Sequence, residues 1–148
     1  MRLLKPDAGE VVDRCTILQL KIEAATKLNR NPNHFIQEKK ELVNYLQDNK
    51  LQDTSEETRD SFYRMERDLL SVNIRLWRNE DEVRALPEVT NLTTIPNIRR
   101  LAVLCKEIAK LNDERATLVK SINALFGTTT EEKIHVQSDR TQSSVGRA

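Results

Sequence analysis

The chain has 148 residues, enough to bury one core of ordinary size without disulfides or a structural metal. Its 24 Lys and Arg stand against 23 Asp and Glu, and a formal charge of +1 supplies no field to hold nucleic acid or an anionic membrane. Three glycines and four prolines are too few for a turn-rich β architecture and favour long helices.

The opening Met1-Arg2-Leu3-Leu4-Lys5-Pro6 lacks the apolar run of a signal peptide, and no later run approaches a membrane span, so the expected location is the cytoplasm. Asp7-Ala8-Gly9-Glu10 then has the form of a capping box that starts a first helix. Ala8, Val11, Cys15, Leu18, Ile22 and Ala25 follow in alternating steps of three and four and define one buried face. Asn29, Asn31 and Pro32 end the helix in a tight reversal.

The spacing predicts a shorter, more polar second helix from about His34 to Lys50, with Phe35, Leu42 and Leu46 on one side and Ile36 and Val43 beside them. Asp53, Thr54 and Ser55 offer N-caps for a long third helix whose core positions are Phe62, Met65, Leu69, Val72, Leu76, Val83 and Leu86, with Asn79 filling one step. Pro87 breaks it, and Pro96 opens a fourth helix after a loop. Leu101, Leu104, Ile108, Leu111, Leu118, Ile122 and Leu125 keep a heptad-like rhythm in that helix up to Gly127, interrupted by Arg115.

These elements predict an all-α fold: an antiparallel bundle of about four helices, dominated by a long C-terminal helical hairpin whose open side helices one and two cover. Residues 1–127 form the bundle domain in this reading, and 128–148 form a polar, flexible tail. A short β pairing of Leu3-Leu4 with Ile134-His135-Val136 is a further, marginal expectation. Cys15 and Cys105 both lie on apolar helical faces without a Cys-x-x-Cys spacing and read as reduced core residues.

A guanidinium at a core position needs an acceptor, because burying it unpaired costs several kcal/mol. Folding the hairpin near Asn91 puts Arg115 at the height of Asp68 and Asn112 near Asn73, with Asp13 and Glu23 as other counterions. Two readings compete: a buried polar network that sets helix register, and a pocket for an anionic small molecule such as a nucleotide or sugar phosphate. Trp77, with Asn73, Glu80 and Arg84, forms a stripe beside the apolar seam, and Arg14 and Lys21 flank the apolar face of helix one. The candidate residues for either reading are therefore Arg115, Asn112, Asn73, Trp77, Glu80, Arg14 and Lys21.

Glu10 with Asp13 and Glu38 with Glu41 are acidic pairs of the kind that hold magnesium in helical nucleotide pyrophosphohydrolases, although their order is reversed. His34 and His135 have no spaced partners for zinc, and no nucleophile arrangement is present, so no cofactor, metal or catalytic residue is assigned.

Three blocks carry a resemblance. The first runs from Gly9 through Asp13, Arg14 and Leu18 to Lys21-Ile22-Glu23; the second is Val72-Asn73 with Leu76-Trp77 and Glu80-Asp81-Glu82-Val83-Arg84. The third is Leu111-Asn112-Asp113-Glu114-Arg115-Ala116 through Ile122-Asn123-Ala124-Leu125-Phe126-Gly127 to Glu131-Glu132-Lys133. Together they cover under half of the chain and resemble a family of small helical proteins of bacteria and phages, a domain of unknown function. The resemblance implies a helical fold with a shared polar centre at Asn73, Trp77, Glu80, Asn112 and Arg115, and no activity. The stretches from Gln52 to Arg64 and Pro87 to Pro96 depart from it. The leading expectation is a non-enzymatic helical binding or assembly protein with a protein partner or a second copy, as in a homodimer. An anionic small-molecule binder or enzyme is the alternative, and the magnesium-dependent hydrolase stands behind it.

Overall fold

The computed structural model describes residues 6–127, so the expected tail and the Leu3-Leu4 pairing with Ile134-Val136 lie outside the described residues. Among those residues the fold is all-α, without strands: α1 (Ala8–Lys27), α2 (Asn33–Leu46), α3 (Glu56–Ala85) and α4 (Ile95–Leu125). None of these helices is long and apolar enough to cross a membrane.

Local chemistry sets most of the boundaries. Asn29 takes φ 56°, and the bonds from Arg30 N to Ala25 O and from Asn29 N to Thr26 O close α1 in the paired pattern of a left-handed C-terminal turn. The Ser55 hydroxyl accepts from Thr58 N at 3.1 Å to cap α3, and the Thr94 hydroxyl accepts from Asn97 N at 3.4 Å to cap α4. Gly127, at φ 55°, follows the end of α4.

The start of α1 departs from expectation. Asp7 occupies the N-cap position with no side-chain cap bond. The free amide of Gly9 instead donates to Asn123 Oδ1 of α4 at 2.6 Å, and Asn123 Nδ2 donates to Glu10 Oε1 at 3.2 Å. Glu10 is therefore turned toward α4 rather than back onto its own helix. A helix in tertiary contact can take its cap from a neighbour, which no local pattern encodes.

α3 and α4 form the antiparallel hairpin, tied at its surface by Arg75 to Glu107 at 3.1 Å and by Glu82 to Arg100. α1 lies across it, antiparallel to α4 and parallel to α3, and touches all three other helices. α2 runs antiparallel to α1 and packs on its outer side; it reaches the hairpin core only at its end. There one π-helical turn, Gln47–Leu51, widens the chain path so that Leu46 and Leu51 both enter the core beside Phe62. In a regular α-helix those two positions, five apart, would diverge.

The core holds Ala8, Val11, Val12, Cys15 and Leu18 of α1, Phe62, Leu69, Val72 and Leu76 of α3, and Leu104, Leu111 and Ile122 of α4. Ile36 and Val43, expected beside the apolar side of α2, are exposed because α2 has a single helix to cover. Cys105, expected in the core, is also exposed, since the seam of α4 that meets α3 passes through Leu104 and Ile108.

Candidate functional site

The polar centre lies where α1, α3 and α4 meet. Arg115 Nε donates to Asp13 Oδ1 at 2.9 Å, and Nη2 donates to Oδ2 at 2.6 Å, so the guanidinium presents its fork edge to one carboxylate. Asn73, 1% exposed, donates from Nδ2 to Asp13 Oδ1 at 2.9 Å and to Thr16 Oγ1 at 2.7 Å. Thr16 in turn donates to the Asp13 carbonyl at 2.7 Å. Side chains from α3 and α4 thus converge on the Asp13 carboxylate of α1. Asn73 Oδ1 has no hydrogen-bond partner among the described residues. The bonds to Asp13 make the Arg115 guanidinium hold its proton more tightly than usual, against the opposing pull of burial.

Sequence spacing identified Arg115 and Asn73 and offered Asp13 as one counterion, and these three residues meet. Asp68, expected as an acceptor at the height of Arg115, does not meet the guanidinium and lines a groove with Arg75, Lys110 and Asp113. Glu23 lies far along α1, in a groove of about 420 Å³ with Leu20, Leu28, Ile74 and Trp77. Trp77 therefore belongs to a different surface from Arg115.

Asn112 is exposed and lines a groove of about 400 Å³ with Glu10, Asp13, Arg115, Ala116 and Lys120. Two acids and two bases there cancel, and the anion-matching edge of Arg115 is already taken by Asp13. Glu80 is exposed and acts on Arg115 through its charge alone.

Arg14 and Lys21 turn away from this centre toward α2. Arg14 binds Glu38 through two bonds of 2.7 and 3.0 Å, which hold the Glu38 carboxyl below the usual carboxylate range. Lys21 Nζ sits 5.6 Å from the Phe35 ring centre, in a cation–π contact. The acidic pairs are similarly dispersed: Glu10 faces Asn123, Asp13 faces Arg115, Glu38 faces Arg14, and Glu41 accepts from Gln37. Among the described residues no three His, Cys, Asp or Glu side chains gather to hold a metal ion.

A second feature escaped the sequence reading. Ile95, Ile98, Ala102, Cys105, Ala109, Asn112 and Ala116 recur on α4 in alternating steps of four and three, and every one of them is exposed. Ile95 retains 63% and Ile98 48% of its surface. Alanine and cysteine contribute little hydropathy, so the strong leucine seam of the same helix masked this weaker stripe. Its three-four period was the available signal. No family model matches this chain, nor does any curated protein or solved structure.

Proposed function

We propose that this chain is a non-enzymatic binding or assembly protein of the cytoplasm, working through the outward face of α4 in a coiled-coil-like contact. The exposed three-four stripe from Ile95 to Ala116 carries this reading: a helix that already spends one apolar seam on α3 has a second seam with nothing over it among the described residues. The polar centre supports it from the other side. Asp13, Asn73, Thr16 and Arg115 hydrogen-bond one another across three helices, an arrangement suited to fixing register. The resemblance to the uncharacterised helical family of bacteria and phages belongs to the same proposal, with Asn73 and Arg115 of its polar residues meeting at Asp13 as scaffold.

The anionic-ligand alternative requires Arg115, Asn112, Asn73 and Trp77 to face one cavity, whereas Asn73 is buried and Trp77 lines a separate groove. Thermal unfolding of the purified chain against nucleotides, sugar phosphates and magnesium separates the readings, because a ligand that binds the folded state raises its melting temperature. The assembly reading expects no shift with any of these compounds. A reproducible rise with one phosphorylated compound would replace it by the pocket reading, and a rise that needs magnesium as well would favour the hydrolase.

A further inference from the structure

We infer that the occupant of the α4 face is a second copy of this chain, with the two α4 helices pairing antiparallel about a two-fold axis near Lys106. This rests on the proposed assembly role and deepens it. The stripe has a size gradient: its first two positions are isoleucines, and its later ones are Ala102, Cys105, Ala109, Asn112 and Ala116. Parallel self-pairing would stack isoleucine on isoleucine at one end and alanine on alanine at the other, forcing the helices to splay. Antiparallel pairing sets Ile98 of each copy against Ala116 of the other and Ile95 against Val119, so no isoleucine faces another and the separation stays more even. In the register centred near Lys106, Ile98 meets Ala116 of the second copy, Ala102 meets Asn112, and Cys105 meets Ala109.

Charge favours the same register. Arg99 and Asp113 lie on one edge of the stripe, 14 residues apart, and neither has an ion-pair partner among the described residues. Antiparallel pairing brings Arg99 of each copy to Asp113 of the other, giving two symmetric pairs. The like-charge encounter is Lys106 with its own copy at the axis, where a flexible stem lets each ammonium reach solvent. The stripe from Ile95 to Ala116 is about 30 Å long and one helix wide. A contact of that width falls at or below the roughly 1,200 Å² at which specific interfaces begin, so the dimer dissociates on dilution.

Two measurements test this. The mass in solution, followed across a dilution series, is expected to fall from dimer to monomer for the native chain and to stay monomeric for Ile98→Glu, with unchanged helicity by circular dichroism. Orientation is read in a Cys105→Ser background, with chains carrying Ile98→Cys or Ala116→Cys treated with a short bismaleimide. The mixture is expected to cross-link, and neither variant alone.

A native chain that is monomeric throughout overturns the second copy and leaves the face to a different helix, the assembly reading then resting on the ligand panel. A dimer indifferent to Ile98→Glu, or self-cross-linking of the Ile98→Cys chain, overturns the antiparallel α4 pairing while the assembly reading stands.

Discussion

Replacing Arg115 by leucine leaves the Asp13 carboxylate with Asn73 as its remaining partner and removes the charge that offsets its desolvation. Breaking a fully buried pair from one side costs about 3–5 kcal/mol. Here about a third of the Arg115 side chain is exposed, and 18% of Asp13, so water recovers part of that loss. Arg115→Leu is therefore expected to destabilise the fold by about 1–3 kcal/mol, read as a lowered melting temperature. An unchanged melting temperature would mean that the pair contributes nothing to holding the three helices together. The same geometry explains why spacing alone found Arg115 but left its partner open. Heptad position says that a charge points inward, whereas the choice among Asp13, Glu23 and Asp68 depends on how far α1 slides along the hairpin.

Helix boundaries were legible wherever a residue constrains its own backbone: the Asn29 left-handed turn, the Ser55 cap, the break at Pro87, Pro96 in the first turn of α4 and Gly127 after its end. What was not legible depends on one element meeting another. The α1 cap comes from Asn123, the π turn serves Leu46 and Leu51, and α2 covers one helix rather than two. The crossing of α1 over α4 leaves no room for a side chain at Gly9. A Cβ on Gly9 would run into the Val119 carbonyl oxygen and stand 2.8 Å from Asn123 Oδ1. Alanine in place of glycine gains up to about 1 kcal/mol of helix propensity in a helix interior, and less in a first turn. Overpacking against backbone costs about 1–3 kcal/mol. The clash wins, so Gly9→Ala is expected to lower stability by about 2 kcal/mol in chemical denaturation, whereas a gain would show that α1 can lift off α4 freely.

At the scale of the whole molecule, the two thiols report on different events. Cys15 is 4% exposed, and burial pushes its thiol up to about 11, with the nearby Lys39 opposing only in part. Cys105 lies open on α4. Reactivity follows access and thiolate fraction, so intact-mass analysis of dilute protein with a maleimide is expected to show one adduct in native buffer and a second only under unfolding conditions. A second adduct at the same rate in native buffer would mean that α1 detaches while the rest of the bundle persists. Single labelling would instead show that α1, although peripheral in sequence, belongs to the cooperative unit.

The bond from Gly9 to Asn123 spans 114 residues, and with Asp13 meeting Arg115 it gives α1 a place in the order of synthesis. α1 is made before α4, so the partners of its first turn do not exist until α4 has been made. During translation α1 and α2 can close their local hairpin, with Arg14 on Glu38, but Asp13 and the Gly9 amide stay turned to water. The final docking of α1 therefore waits for release of α4, so a helix made before α4 is completed only after it.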